Sequence, residues 1–433
     1  MERAALAIGI FEIPLQFDKY FGFQIEHAEL GAVAGINVSI TLIAFAVLYF
    51  LWFARRASVS TSQLKRWIFG PAMIAYVAFV TLSVATAEVQ FLAVCDWFIV
   101  AQAYALFFYV ANRIDDYRDL LFTVMVLAGT LVFQCFLVYG LSLFGEAGEI
   151  YKYGALTLKV WEDGRPAGTM HSAVLAGSVM AFLWLPVMGL TLSSASPGLK
   201  KLAIAALAIG LLGIMLTQTR GAIGTTFVGA CVIGFAAFLR GWLPRQAITT
   251  AALLGLISIA PLITVIQGRI LSGDGGSAVA RKHLTVIAIQ MIKDRPLLGY
   301  GAGNCHLAGI PRSNAPEYRS EWYYTIHCKY LLTWIENGVF GFLAFLCVIG
   351  TGIRYGMKTW FTRNRMYAPI GLALALGIAG NAIHMLVDIF NSRTQVQILW
   401  IVLGLVAATY RLSQSKPSDS SRSQFTGALS HGR

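Results

Sequence analysis

The feature that most constrains this chain is a succession of apolar runs, each about as long as a lipid bilayer is thick. A helix rises 1.5 Å per residue, so roughly 20 apolar residues cross a hydrocarbon core about 30 Å deep. Runs on that scale lie near 4–17, 32–53, 67–87, 90–112, 120–144, 173–193, 202–219, 222–239, 247–267, 329–350, 367–387 and 396–410. The first is short and contains Glu12. In lipid every backbone polar group must find a partner within the chain, and runs of this kind do so as helices. The expectation is an all-α integral membrane protein with about 12 transmembrane helices. Composition agrees: 57% of the 433 residues are hydrophobic and 12% are charged, about half the charged fraction of a soluble chain. Residues 1–410 read as a single polytopic membrane domain, and 411–433, rich in Ser with Pro417, as a disordered cytoplasmic tail. No cleavable signal peptide is evident, since no small-residue cleavage site stands before Asp18.

Orientation follows from Lys and Arg in the short connections. One set holds Arg55, Arg56, Lys65 and Arg66; Arg113 and Arg118; Lys200 and Lys201; Arg240 and Arg245; and Arg354, Lys358, Arg363 and Arg365. The opposite connections hold only Lys19, Arg220 and Arg393. The first set is therefore expected in the cytoplasm, which makes 145–172 and the long segment 268–328 extracytoplasmic. The formal charge of +12 invites a nucleic-acid reading. Basic residues spread over loops serve orientation instead, so no nucleic-acid partner is expected. The six cysteines are too few and too scattered for a disulfide scaffold or a zinc site. No pair of matching interrupted spans marks two inverted halves, which weighs against a secondary transporter.

Segment 268–328 is where chemistry is expected. It carries Arg269, Arg281, Lys282, Lys293, Arg295, Arg312 and Arg319, and then His327. So much cationic chain on one face of a membrane protein suits an anionic substrate. Within it, AVARKHLTVIAIQMIKDR repeats apolar residues at helical spacing: Leu284, Ile287 and Met291, flanked by Ala288 and Ile292. This predicts an amphipathic helix on the outer membrane face, with Arg281 in its first turn, either solvated or turned to a ligand. PLLGYGAGN then breaks the helix into a tight turn. Arg220, in TQTRGAIG, begins an apolar run. Such an arginine either snorkels to the interface or binds something anionic, and Gly221 and Gly224 favour a packed site. His327 taken alone reads as structural. The spacing H-C-x9-G-x-x-G, from His327 and Cys328 to Gly338 and Gly341, places it at the outer end of a helix whose small residues pack against neighbours. That would hold the imidazole rigidly.

Together these elements resemble the bacterial O-antigen ligase and O-antigen polymerase superfamily. That family carries H-[NSQ]-x9-G-x-x-[GTY] after a large periplasmic loop, and this chain departs from it only in Cys328. TRGA at Arg220 is similar to the family's SRGA-like arginine, and Arg281 with DRPLLGYGAGN is similar to its arginine-headed helix ending in D-x-P-L-x-G-x-G. GTMHSAVLAG, from Gly168 to Gly177, resembles the segment entering a middle span. The likeness covers roughly residues 165–410.

The resemblance implies a GT-C-like fold and a metal-independent, inverting glycosyltransferase with no cofactor. Its site would face the periplasm from the bacterial inner membrane. Its donor would be a glycan on undecaprenyl pyrophosphate, and its acceptor a sugar hydroxyl of lipid A-core or of a growing polysaccharide. Arg220 and Arg281 suit a pyrophosphate clamp, because guanidinium forks match phosphate oxygens in bidentate fashion. His327, with an ordinary pKa near 6.5, suits the base that takes the acceptor proton. Lys329 and His384 are weaker candidates for the same cavity. An O-antigen ligase of lipopolysaccharide biosynthesis leads this reading, with an O-antigen or exopolysaccharide polymerase as the alternative. A protein O-glycosylating member follows, and a lipid-linked sugar transporter or flippase is more remote. The last would need charges buried in several spans, for which Asp96 and Glu336 are the main candidates; Glu336 reads equally as a hydrogen-bonding group within the bundle. Cys305 and Cys328 share the oxidising side, so a disulfide between them and a pair of unpaired thiols both stand open.

Overall fold

A computed structural model of the chain describes residues 1–33, 35–58, 70–243, 277–313 and 325–415. The run expected at 247–267, Arg269 and Arg319, and the tail beyond 415 lie outside the described residues. The architecture is dominated by helices: α1 Glu2–Glu12, α2 Ile25–Ala28, α3 Ile40–Ser58, α4 Gly70–Val84, α5 Gln90–Arg113, α6 Tyr117–Phe144, α7 Ala173–Leu192, α8 Pro197–Leu216, α9 Arg220–Leu239, α10 Ser277–Asp294, α11 Cys305–Ser313, α12 Lys329–Phe361, α13 Ala368–His384 and α14 Arg393–Gln414. Among the described residues seven of these are long and apolar enough to cross a membrane: α5 to α9, α12 and α14. The chain is a multi-pass membrane protein.

Several boundaries differ from the sequence expectation. The run 32–53 becomes helical only at Ile40, because Ile36–Ser39 forms strand β2, antiparallel to β1 Asp18–Phe21. Segment 145–172 holds a second antiparallel sheet, β3 Ile150–Tyr153, β4 Leu156–Val160 and β5 Pro166–Gly168. The predominance of helix is consistent with the expected all-α membrane protein, with two small sheets among the described residues. Helix α14 continues through Gln414, past residue 410 where the tail was expected to begin. Helix α1 is 11 residues long, about 16 Å, which does not reach across a bilayer by itself.

Glu12 looked like an interruption of an apolar run, but the structure gives it a partner. Arg393, at the first turn of α14 and 3% exposed, pairs with Glu12 at 3.1 Å and with Asp18 at 2.7 Å. It also donates to Gln397 Oε1 and the Ile13 carbonyl. One buried guanidinium so pins α1 and the β1–β2 hairpin to α14, satisfying charges that would be costly alone. Elsewhere glycines let helix backbones approach. A methyl at Gly404 of α14 would lie 2.9 Å from Val110 of α5, and one at Gly189 of α7 would lie 2.8 Å from the Pro369 carbonyl of α13.

Charged residues sort to two ends. Arg3–Asp119, Arg55–Glu2 and Arg411–Asp115 pairs mark one end of the bundle, where the basic connections gather. The other end carries both sheets, α10, α11, the start of α12 and the end of α13.

The glycines after His327 do more than thin a helix face. Gly338 sits at φ 67°, ψ −178°, a non-helical conformation inside α12. That break frees backbone groups, and the glycine-rich turn docks into it. Tyr300 N donates to the Ile335 carbonyl at 2.8 Å, Gly301 N to the Glu336 carbonyl at 2.9 Å, and Val339 N to the Pro296 carbonyl at 3.0 Å. A methyl at Gly338 would collide with the Leu297 carbonyl, and one at Gly299 would lie 2.5 Å from the Ile335 carbonyl. The two glycine motifs are therefore the two halves of one joint. Gly338→Ala is expected to lower stability by about 1–3 kcal/mol from the backbone conformation alone, and more through the collision. A thermal midpoint in detergent equal to that of the wild type would refute this account.

Candidate active site

Helix α10 forms where the 3.6-residue apolar period predicted, but its apolar stripe faces protein. Leu284, Ile287, Ala288 and Met291 are buried against Tyr300, Ala308, Ile326, Leu332 and Ile335. The expected placement on the outer membrane face is thus corrected: the stripe fastens α10 to the glycine-rich turn and to α12, where apolar partners remove more of its surface from water. Arg281 projects from the first turns of α10 and is exposed.

His327 lies at the entrance to α12, half-buried, with Nδ1 3.1 Å from the Thr325 carbonyl oxygen. A carbonyl only accepts, so Nδ1 carries the proton and Nε2 the lone pair. Burial holds the His327 pKa below its ordinary value, and the Arg281 guanidinium pushes the same way. The Asp388 carboxylate and the Thr325 carbonyl partly offset both. His327 is therefore a neutral imidazole at neutral pH, the form that accepts a proton.

Asp388, in the turn after α13, is the residue that sequence reasoning missed. Its Oδ2 accepts from Gln395 Nε2 at 2.6 Å and lies 3.6 Å from His384 Nδ1. Its carbonyl, with that of Met385, accepts from the Lys329 backbone N–H. Arg281 and Asp388 are electrostatic neighbours of both His327 and His384, which joins the two imidazoles into one site. The spacing from His384 to Asp388, one helical turn, is the signal that could have found it.

Arg220 reaches this group through its neighbour. It is the first residue of α9 and exposed, and a methyl at Gly221 would lie 2.7 Å from His384 Cδ2. The preceding turn is set by Gln218 at φ 51° and by Thr219, whose Oγ1 donates to the Ala173 carbonyl at 2.9 Å. A methyl at Gly177 of α7 would lie 2.7 Å from Thr217 and Thr219. The glycine ending GTMHSAVLAG so lets the TQTR turn pack closely on α7, and Gly221 brings the start of α9 against His384. Neither Arg220 nor Arg281 has an acidic partner among the described residues. Two exposed guanidiniums, with the N-terminal N–H groups of α9, make a setting suited to an anion.

One expectation is not met here, and one open alternative is decided. Lys329 does not open onto the imidazoles. It is 9% exposed, and its side chain lines a separate cavity with Asp96 and Glu336. No disulfide joins Cys305 and Cys328. The buried Cys305 thiol is engaged by Thr325 and the Ile326 backbone, and burial pushes its pKa up to about 12, so it is a poor nucleophile for exchange.

With the geometry in hand, comparison with known proteins gives one family. Residues 205–346 match the family model described as O-antigen ligase, a stretch that runs from α8 through Arg220, Arg281 and His327 to Gly341. Comparison with curated proteins gave no match.

Proposed function

Because the chain belongs to the O-antigen ligase and polymerase superfamily, we propose that it is a membrane glycosyltransferase of the bacterial inner membrane, with its site facing the periplasm. In this reading it moves a glycan from undecaprenyl pyrophosphate to a sugar hydroxyl, as an O-antigen ligase with lipid A-core as acceptor. The observation that carries the reading is His327: its tautomer is set by the Thr325 carbonyl, and it is grouped with Arg281, Asp388, His384 and the Arg220–Gly221 turn. Nε2 takes the acceptor hydroxyl proton, and the oxygen attacks the anomeric carbon from the face opposite the pyrophosphate. The bond from that carbon to the phosphate oxygen breaks with inversion, and the pyrophosphate leaves with the electron pair. Arg220 and Arg281 hold it and neutralise the charge it gains. The gathering of basic connections at the far end supports the sidedness, since such loops stay in the cytoplasm.

The test is lipopolysaccharide from a strain lacking the gene, beside transfer by the purified protein in chelator. Core without O-chain is expected in the strain. Core bearing a single repeat would instead assign the protein as a polymerase. Transfer is expected to persist in EDTA, because the arginines supply the positive charge. Loss in chelator with recovery on adding Mg²⁺ or Mn²⁺ would exclude the metal-independent mechanism.

A further inference from the structure

Three ionisable side chains that the proposed chemistry does not use meet in one cavity beside the site. Asp96 of α5 and Lys329 and Glu336 of α12 line it, together with Tyr76, Asn337 and Asn391. Its volume is about 20 Å³, room for a water molecule and far too little for a sugar. Lys329 is the cation facing both carboxylates. The Glu336 carboxylate binds the glycine-rich turn, and α5 passes close to that turn at Asp96. Glu336 accepts from the backbone N–H groups of Gly303 and Cys305, and a methyl at Gly303 would lie 3.6 Å from Asp96 Cβ. The turn is held from the other side by Asn304, whose Oδ1 accepts from Val89 N at 2.8 Å. The backbone of Lys329 is bound as well, its N–H donating to the Met385 and Asp388 carbonyls.

We propose that Lys329 is a positioning residue that joins the two halves of the site. Its backbone fixes the segment carrying His327 to the segment carrying Asp388. Its ammonium, between Asp96 and Glu336, fixes that same point to the turn that follows α10 and so to Arg281. Two carboxylates in so small a cavity repel each other unless a cation separates them, and removing one partner of a buried ionic group leaves the others uncompensated. The activity arm of the test rests on the transfer reading; the structural arm does not.

The experiment uses the full chain in detergent, comparing the wild type with K329M and with K329M/D96N. K329M is expected to raise amide exchange over 299–305 and 327–332 by about tenfold or more. It is expected to lower turnover by about tenfold, with KM for the donor changed less than about twofold, because geometry is disturbed and no donor contact is lost. Adding D96N removes one of the two stranded carboxylates and should recover both protection and turnover. Wild-type protection in K329M, or a double variant no better than the single one, overturns the proposal, as does a large rise in KM. If K329M does not accumulate in the membrane, accumulation becomes the readout: recovery in the double variant supports the proposal, and continued loss overturns it. A wild-type protein that transfers no glycan would end the functional reading, while the exchange measurement would still decide this one.

Discussion

His327→Ala is expected to lower glycan transfer by about 10²–10⁴-fold, the range a positioned general base contributes, while leaving the protein in the membrane and folded. The expectation rests on geometry: Nδ1 faces the Thr325 carbonyl at 3.1 Å, so Nε2 is the nitrogen with the lone pair. The imidazole precedes α12 and its Nδ1 bonds to the Thr325 carbonyl, outside that helix, so the helix outlasts its removal. A pH profile supplies an independent check. Burial and Arg281 lower the His327 pKa, so the neutral base persists below pH 6.5. Transfer by the wild type should therefore rise with pH through a midpoint below 6.5 and then stay level to neutrality, and His327→Ala should abolish that limb. Near-normal complementation of a deletion strain by His327→Ala, or an acid limb unchanged in the variant, would remove His327 from the mechanism.

Arg281→Lys and Arg220→Lys should each reduce transfer by about 10²–10³-fold, the scale on which one preorganised donor to a developing charge counts. Lysine keeps the charge but offers a point donor in place of a planar fork, so it cannot hold two oxygens of a pyrophosphate in register. The two positions differ in what surrounds them. Arg281 lies near His327 and His384, and its exposed head on α10 is backed by a buried apolar stripe. Arg220 starts α9, and the fit of Gly221 against His384 places it. Arg281→Lys should accordingly also raise the pH midpoint of the transfer profile less than Arg281→Ala does, since lysine preserves the charge acting on His327. Normal turnover in both lysine variants would show that these arginines are interface anchors.

Which parts of the protein were legible beforehand follows from what each depends on. Bilayer thickness acts on local composition, so the long apolar runs between 90 and 239 and those after 329 came out as the helices expected. A 3.6-residue period is equally local, and α10 appears where Leu284, Ile287 and Met291 placed it. Short-range signals failed where the chain's pairing was decided by distant residues. Ile36–Ser39 falls within the apolar run 32–53, yet it lies opposite Asp18–Phe21 and forms a strand. Glu12 reads as a flaw in a span until Arg393, far along the chain, is found beside it.

The residue types of the site were visible in the same way. An arginine opening an apolar run, an arginine heading an amphipathic helix, and a histidine followed at fixed spacing by glycines are all written in the linear chain, and the family match covers them. Their assembly was not. That Gly338 is a break into which the glycine-rich turn docks depends on its φ of 67° and on the Leu297 carbonyl, neither of which a spacing reveals. That Asp388 neighbours both imidazoles, and that Lys329 lines a cavity with Asp96 and Glu336, depends on how α5, α12 and α13 pack. The sequence by itself determined a helical membrane chain, a match to the O-antigen ligase family over residues 205–346 and the chemical groups available at one end. Only the tertiary structure decided which of those groups meet, because side chains far apart in the chain are brought together by helix packing and buried ionic pairing, and neither leaves a local pattern.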